Sequence, residues 1–205
     1  GGIGTPFSSL KNTIPRLAKL PLFSQPGESF LYGLNTDVLG YLIEVISGMP
    51  LDKFLKEKLF DPLGMKDTYF FLPTEKQNRL VPLYMQAGNG VLRIQDSVIS
   101  LNGSFHRDFP KTAGGTFFSC FSGLSSTAYD YALFCQMLLN GGEYNGIRFL
   151  SPHTIGQKKK NHIGNLSMWG NPDNPSRFGL GFGVYTDKSE ANSPLAAGSF
   201  DWAGM

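Results

Sequence analysis

The segment from Asn35 to Ser47 most strongly constrains the fold, because its apolar residues recur at the three- and four-residue spacing of an α-helix. One face carries Val38, Leu42, Val45 and Ile46, and Leu39 and Ile43 lie beside it. Gly48 follows, where a left-handed residue can end a helix. We expect Asn35 or Thr36 to cap the first turn with a side-chain oxygen. Asp37 stands where the helix dipole favours negative charge.

Other segments also have helical patterns. A first helix is predicted from Ser9 to Leu20, and Pro15 requires it to be kinked or to begin near Ile14. A helix is predicted from Leu51 to Phe60 and is stopped by Asp61-Pro62-Leu63-Gly64. Another is predicted from Ala128 to Leu139, begins with a Thr127–Asp130 capping box and ends at Asn140-Gly141-Gly142. A shorter helix is predicted to start at Ser151-Pro152.

Strand patterns are short and stand mostly near the end of the chain. The candidates are Thr68–Leu72, Val91–Ile94, Gly179–Thr186 and Leu195–Met205. A turn is predicted over Pro21–Glu28, around Pro26-Gly27. Helices over about 1–170 followed by strands over about 177–205 predict a helical subdomain inserted in, or packed on, a sheet.

Composition and charge exclude several classes of function. Among the 205 residues, 18 Lys and Arg stand against 16 Asp and Glu, so the formal net charge of +2 gives no reason to expect nucleic acid as a partner. The basic run Lys158–Lys160 is interpreted as a solvated helix end. No stretch approaches the 18–20 or so apolar residues of a membrane span.

The cysteines and histidines predict no metal site. His106, His153 and His162 have no metal-ligand spacing. Cys120 and Cys135 form no Cys-x-x-Cys motif, and Cys135 lies in an apolar helical pattern typical of a buried thiol. We expect no cofactor, and the sequence does not predict an oligomeric state.

A long ordered pattern in the first third of the chain points to a family. The residues are Leu20-Pro21-Leu22, Gln25-Pro26-Gly27-Glu28, Phe30-Leu31-Tyr32-Gly33-Leu34, Val45-Ile46-Ser47-Gly48 and Phe60-Asp61-Pro62-Leu63-Gly64-Met65-Lys66-Asp67-Thr68. The pattern resembles the class C-type β-lactamase superfamily, which includes penicillin-binding DD-peptidases and family VIII carboxylesterases. The resemblance continues through Ser122–Ala128, Gln136–Gly142, Leu150–Pro152, Gly179–Val184 and Gly198–Gly204.

The resemblance implies an α+β fold of the β-lactamase/transpeptidase type. On this view residues 1–205 are part of one serine hydrolase domain, mainly its helical subdomain and part of its antiparallel sheet. It also implies that Tyr32 acts with the lysine of a Ser-x-x-Lys helix as general base for the serine, which forms an acyl-enzyme. Without the flanking pattern, Tyr32 would be interpreted as a packed aromatic residue.

Two departures from the family pattern shift the expected substrate. Leu34 stands where β-lactamases have the asparagine that contacts the acylamide group of a β-lactam. Trp202-Ala203-Gly204 replaces Lys-Thr-Gly, as in family VIII esterases, so an ammonium becomes an indole without charge. Both changes favour an esterase acting on uncharged carboxylic esters. By the same resemblance, Trp202, Leu34 and Gly204 contact substrate, and the backbone N–H of Met205 donates to the oxyanion.

The serine and lysine of the active site are expected upstream of Gly1. Ser8-Ser9-Leu10-Lys11 matches Ser-x-x-Lys by spacing but lies too close to Tyr32, so Ser8 or Ser9 is expected to cap the first helix. Residues 1–205 are therefore expected to be inactive alone.

Alternatives to the esterase remain open at this point. They are a non-catalytic binding module of the same fold, or an acyltransferase or β-lactamase using the same site. Each enzyme would take a small ester or amide. The compartment stays open, with a cytoplasmic location slightly favoured, and the absence of a targeting segment says little about it.

Overall fold

The computed structural model describes residues 8–82, 84–87, 90–93, 98–99, 105–106, 109–112, 114–168, 176–187 and 195–202. The chain forms two compact units. The first contains residues 1–20 and 34–131, and the second contains residues 21–33 and 132–205. Within the described ranges, no helix is long and apolar enough to cross a membrane.

Helices dominate the first unit. Its elements are α1 (Leu10–Leu17), α2 (Asn35–Ser47), α3 (Leu51–Leu55), a π-helical turn (Lys56–Phe60), α4 (Asp61–Leu63), 3₁₀ turns at Thr74–Arg79 and Phe109–Lys111, and antiparallel strand pairs β1–β2 (Tyr84–Ala87 with Gly90–Arg93) and β3–β4 (Val98–Ile99 with Phe105–His106). Helix α5 (Ala128–Leu139) begins in this unit and ends in the second.

The second unit contains a hairpin, a helix and a small sheet. The hairpin pairs β5 (Glu143–Tyr144) with β6 (Ile147–Arg148), and α6 (Pro152–Lys158) follows it. The sheet is antiparallel in the order β7 (Arg177–Phe178), β8 (Gly183–Val184) and β9 (Phe200–Asp201). These helices and small antiparallel sheets confirm the predicted α+β class.

The predicted bounds of α2 and α5 are confirmed, whereas the predicted cap of α2 is wrong. Leu34 occupies the N-cap position, and no side chain caps the helix there. Gly48 ends the helix with φ of +68°, as expected for a left-handed C-terminal residue. The short helix predicted after Ser151-Pro152 is present as α6, and the Ser151 hydroxyl caps it by accepting a hydrogen bond from the Thr154 N–H.

Helix α1 is shorter than predicted, but Ser9 caps it as proposed. The Ser9 hydroxyl accepts a hydrogen bond from the Asn12 N–H at 3.2 Å. Pro15 lies inside the helix, so a start near Ile14 is wrong. The helix ends at Leu17 rather than Leu20, and Ala18, in the C-cap position, donates its N–H to the Ile14 carbonyl.

The helix predicted to end at Phe60 continues to Leu63. Between α3 and α4 the backbone widens into one π turn, in which the Asp61 N–H donates to the Lys56 carbonyl five residues back. Gly64, with φ of +79°, ends the helix in the left-handed region. Pro62 lies two residues before this end, so its missing N–H removes a donor from the last turn of the continuous helix.

The core of the first unit combines helices with aromatic residues from distant segments. The buried cluster consists of Leu10, Ile14, Leu51, Phe70, Phe109 and Phe117. Helix α2 approaches it closely at Gly40, where a Cβ atom would lie 2.8 Å from Cys120 Sγ and 3.0 Å from Leu51 Cδ2. The absence of a side chain at Gly40 therefore sets the packing distance of α2.

Asp37 anchors a loop rather than simply complementing the helix dipole. Its side chain is buried and accepts hydrogen bonds from the Ser119 hydroxyl at 2.8 Å and from the Phe121 N–H at 3.0 Å. Burial raises the pKa of this carboxyl, and the hydrogen bonds from Ser119 and Phe121 act in the opposite direction. A residue predicted for a local role therefore joins α2 to residues 119–121.

The apolar residues predicted on α2 form a face that is largely exposed in the described structure. Its members are Val38, Leu39, Leu42, Val45 and Ile46, which are 41% to 77% exposed. The side of α2 that packs in the first unit instead presents Asp37 and Gly40, both buried, and Ile43. The helical period was predicted correctly, but the packed side differs.

Asp130 takes part both in the local capping box with Thr127 and in hydrogen bonds with the distant residues Asp67 and Thr68. Its N–H donates to the Thr127 hydroxyl at 3.2 Å, which confirms that half of the predicted capping box. Its carboxylate accepts from the Asp67 N–H at 2.7 Å and the Thr68 hydroxyl at 2.8 Å. Of the strand predicted over Thr68–Leu72, only a single bridge from Tyr69 to Ser125 is present.

We predict that Gly40→Ala destabilises the protein by about 1–3 kcal/mol, because the added methyl group overpacks the contact with Cys120 and Leu51. Gly156→Ala is the matched control, since Gly156 is also helical and a Cβ there would meet no atom within 4 Å. The control should gain about 0.5–1 kcal/mol. Urea unfolding measures both changes, and equal effects of the two substitutions would contradict the close packing of α2.

We predict that the protein loses stability in acid as the carboxylate of Asp67 becomes protonated. Hydrogen bonds from Arg79 at 2.8 Å and Lys76 at 2.6 Å lower its pKa to about 2 from an ordinary 3.8. A carboxyl with a depressed folded-state pKa adds stability above its unfolded value, and this is lost as pH falls through the folded value. Asp67→Asn should therefore flatten the decline in melting temperature between about pH 4 and pH 2.

Two arginine variants control this experiment. Arg79→Gln should give an intermediate profile because Lys76 still contacts Asp67. Arg16→Gln removes an exposed arginine of α1 and should keep the wild-type profile. A wild-type acid profile in Asp67→Asn would show that this ion pair does not contribute.

Candidate active site

The loop that carries Tyr32 begins with a tight turn whose residues suit it. The Glu28 N–H donates to the Gln25 carbonyl at 3.1 Å, which closes a four-residue turn over Pro26 and Gly27. Gly27 has φ of +89°, as the third position of a type II turn requires. The Gln25 N–H also donates to a Glu28 carboxylate oxygen at 3.0 Å. The predicted turn is confirmed, and it directs the chain into residues 29–33.

Tyr32 and Trp202 are in direct contact within the second unit. The Trp202 indole N–H donates a hydrogen bond to the Tyr32 hydroxyl oxygen, with 3.1 Å between the heavy atoms. Their ring centroids are 5.1 Å apart and the ring planes are inclined by 50°. Both side chains are partly buried. Two residues predicted for the site from distant parts of the sequence are therefore brought together.

The small sheet of the second unit positions Trp202. Strand β9 ends at Asp201, and Trp202 is the next residue. In the sheet register Gly183 of the central strand pairs with Asp201 on one side and with Phe178 on the other. The Tyr185 N–H continues the β8–β9 contact by donating to the Ser199 carbonyl at 2.9 Å. The position of Trp202 thus depends on main-chain pairing.

An aromatic cluster surrounds this hydrogen bond, and we define it as Phe30, Tyr32, Phe178 and Trp202. Phe178 lies edge-on to Trp202, with centroids 5.1 Å apart and planes at 81°. Phe178 also contacts Phe30, again with centroids 5.1 Å apart. Edge-to-face and tilted pairs of this kind are favourable because the positive edge of one ring meets the negative face of another. The four rings of this cluster consequently place apolar surface around the phenol hydroxyl and the indole N–H.

Two ionisable side chains near the sheet, Tyr185 and Lys158, make contacts with residues outside the aromatic cluster. The Tyr185 hydroxyl donates to an Asp201 carboxylate oxygen at 3.3 Å, and burial together with the Asp201 charge raises the pKa of Tyr185. Lys158 is partly buried, with its ammonium 5.7 Å from the centre of the Phe182 ring, and burial lowers its pKa. The interpretation of Lys158–Lys160 as a solvated helix end is therefore wrong for Lys158.

The other predicted site residues are placed as follows. Leu34 precedes α2 in the first unit and is 42% exposed. Ala203, Gly204 and Met205 lie outside the described residues, and the proposed oxyanion donor of Met205 is among them. Their roles remain predictions.

The described ranges contain no group of three or more His, Cys, Asp or Glu side chains arranged to hold a metal ion. Burial, followed by the charges of Asp37 and Glu44, raises the pKa of Cys120 to about 12. A thiol with such a pKa is protonated at neutral pH and is a poor nucleophile. This agrees with the absence of a redox motif around it.

Sequence reasoning missed Phe178 and Gly183 as parts of this site, and it quoted Phe30 only as a family motif residue. Phe178 precedes the Gly179–Val184 motif, and nothing in its immediate sequence marks it as functional. The sequence does show an aromatic residue, Phe178, followed five positions later by a glycine, Gly183. That the two residues face each other across an antiparallel strand pair becomes clear only from the strand register.

Comparisons with known proteins give a consistent family. The beta-lactamase family model matches residues 5–205. Protein Rv1367c of Mycobacterium tuberculosis is 32% identical over 196 residues, covering 92% of this chain and 46% of that protein. A Salmonella enteritidis protein named as a candidate D-alanyl-D-alanine carboxypeptidase is 30% identical over 217 residues, covering 98% of this chain and 47% of its own length. The chain thus spans about half the length of the curated relatives it matches.

A solved structure shares the fold. EstCE1, described as a hydrolase with promiscuous acyltransferase activity, superposes with a TM-score of 0.81 at 25% sequence identity. The match covers 98% of this chain and 53% of EstCE1. The predicted fold type is confirmed.

Proposed function

Since the chain belongs to the beta-lactamase family, we propose that the protein is a serine hydrolase that cleaves uncharged carboxylic esters through an acyl-enzyme, with Tyr32 as general base. The observation that carries the proposal is the hydrogen bond from the Trp202 indole to the Tyr32 hydroxyl oxygen. It joins the tyrosine loop, which resembles the superfamily pattern, to Trp202, the first residue of the segment that resembles a family VIII esterase.

The hydrogen bond supports a role for Tyr32 in proton transfer. A donor aimed at a phenol oxygen stabilises negative charge on that oxygen. In the proposed reaction the serine expected outside residues 1–205 loses its proton towards Tyr32 as its oxygen bonds to the ester carbonyl carbon. Tyr32 then returns the proton to the departing alcohol. Water repeats the sequence on the acyl-enzyme and releases the acid.

The side chains at the predicted substrate positions support a neutral ester. Trp202 offers an N–H and an apolar ring but no charge, so it cannot pair with a substrate carboxylate as an ammonium would. Leu34 has no amide to hydrogen-bond an acylamide group. The aromatic cluster adds further apolar surface beside Tyr32. These features favour esters over β-lactams and peptides that end in a carboxylate.

A second candidate is acyl transfer to an alcohol. The supporting observation is the likeness to EstCE1, which is described as having promiscuous acyltransferase activity. An alcohol in place of water would accept the same acyl group and release an ester. Product analysis with added alcohol separates the two reactions, because transfer yields the new ester and hydrolysis yields only the acid.

We predict that the full-length protein hydrolyses p-nitrophenyl butyrate and turns over the cephalosporin nitrocefin far more slowly. Tyr32→Phe should lower kcat/KM for the ester by about 100-fold or more, the usual loss on removing a general base. Tyr129→Phe is the matched control, since its ring is 72% exposed, and it should keep full activity. Steady-state kinetics of purified variants, with circular dichroism to check folding, measure the effect.

Three results would overturn the proposal. Full activity of Tyr32→Phe would remove Tyr32 from the mechanism. Faster turnover of nitrocefin than of the ester would favour a β-lactamase. Tight ligand binding without turnover of any acyl substrate would favour a non-catalytic binding module.

We further predict that residues 1–205 alone do not hydrolyse p-nitrophenyl acetate above background. The only Ser-x-x-Lys match within them begins at Ser8, whose hydroxyl contacts the Thr13 hydroxyl at 3.1 Å beside the start of α1. Ser8→Ala is the decisive variant. Hydrolysis that is present in the parent and lost in Ser8→Ala would identify Ser8 as a nucleophile and contradict this assignment.

A further inference from the structure

We infer that Phe178 and Gly183 are positioning residues, which orient the Trp202 indole and through it the Tyr32 hydroxyl. The inference deepens the proposed function and rests on it for the catalytic consequence, although the geometric part stands by itself. It follows from an unusual contact across the β7–β8–β9 sheet, in which Phe178 and Trp202 come from the two outer strands or their ends.

The rings of Phe178 and Trp202 lie closer together than the two outer strands of the sheet. Neighbouring strands lie about 4.8 Å apart, so the backbones of the outer strands of a three-stranded sheet are separated by about 10 Å. The ring centroids of Phe178 and Trp202 are nevertheless only 5.1 Å apart. The two rings must therefore lean towards each other over the central strand β8.

Gly183 supplies the space for that contact. It lies between Phe178 and Asp201 in the register, so it occupies the central strand beneath the two rings. A Cβ built on Gly183 would lie 3.4 Å from the Asp201 carbonyl oxygen, 3.5 Å from Asp201 Oδ1 and 3.7 Å from Trp202 Cε3, which are ordinary contact distances. A methyl group therefore fits, whereas the additional methyl groups of valine would crowd Asp201 and the neighbouring indole. A small residue is needed at this position of β8.

Phe178 is the second constraint on the indole. Its ring meets Trp202 at 81° and also contacts Phe30, two residues before Tyr32 in the same loop. One phenyl ring thus touches both the tyrosine loop and the indole. A rotation of the indole that moved its N–H away from Tyr32 would disturb this edge-to-face contact. Phe178 and the Tyr32 hydroxyl therefore both restrict the orientation of the indole.

The catalytic consequence follows from the dependence of a hydrogen bond on geometry. The bond weakens steeply when the donor N–H is misaligned. If the indole N–H stabilises negative charge on the Tyr32 oxygen during proton transfer, loss of alignment slows acylation without removing an apolar surface for substrate. Positioning therefore predicts an effect on kcat and little effect on KM.

The test compares Phe178→Ala and Gly183→Val with one control in the full-length protein. Phe182→Ala removes a partly buried phenylalanine of the same region, whose ring centroid is 5.2 Å from that of Phe200. We expect Phe178→Ala and Gly183→Val to lower kcat for p-nitrophenyl butyrate by about tenfold to 100-fold, with KM changed less than about twofold. The control should stay within about twofold of wild type.

A double-mutant cycle identifies the route of the effect. Trp202→Phe keeps an aromatic ring but removes the N–H donor. If Phe178 acts through that donor, Phe178→Ala should lower kcat in the Trp202 protein and leave it unchanged in the Trp202→Phe protein. Equal losses in both backgrounds would overturn the inference. A rise in KM that matches the fall in kcat/KM, with kcat unchanged, would also overturn it, because Phe178 would then be a substrate contact.

A spectroscopic measurement separates this inference from the proposed function. Near-ultraviolet circular dichroism reports the asymmetric environment of aromatic rings. Phe178→Ala and Gly183→Val should each lose the part of the signal that Trp202→Phe removes, whereas Phe182→Ala should retain it. An unchanged Trp202 signal in Phe178→Ala would contradict the inference even if the protein is an esterase. Loss of the signal in a protein with no ester turnover would uphold the geometry and reject the function.

Discussion

The hydrogen bond between Trp202 and Tyr32 requires the two separate segments of the second unit to be held side by side. This unit is made from residues 21–33 and 132–205, segments separated by about half of the chain. A loop without regular secondary structure has to be held against strands that are formed much later in the sequence. The type II turn at Pro26-Gly27, the contact between Phe30 and Phe178, and the pairing of β8 with β9 all contribute to that placement.

Buried carboxylates perform a comparable task in the first unit. Asp37 accepts hydrogen bonds from Ser119 and Phe121, and Asp130 accepts from Asp67 and Thr68, so each joins a helix start to a distant loop. Burying such groups is costly unless their oxygens have donors, and these pairs supply them. Gly40 then allows α2 to approach Cys120 and Leu51. Polar anchoring and close packing therefore act on the same helix.

Local signals in the sequence were sufficient for the bounds of α2 and α5, the Ser9 cap and the helix end at Gly48. These features depend on residues within a few positions of each other, which a sequence displays directly. The family resemblance placed Tyr32 and Trp202 in one site, but it did not predict the hydrogen bond between them. Phe178 and Gly183 escaped because their role depends on strand register. Asp37 was misjudged because its partners, Ser119 and Phe121, are more than 80 positions away, and local chemistry predicted only a dipole interaction.

The π turn at Lys56–Phe60 has a consequence for how relatives of this chain should be aligned. An α-helix advances about 100° per residue, so Leu51 and Phe60, nine positions apart, would lie on opposite sides of a regular helix. Both are buried. A π turn takes up one extra residue, and eight effective steps place the two side chains within about 80° of each other. A homologous helix one residue shorter in this interval can therefore keep both side chains buried, and a single-residue gap there is structurally correct.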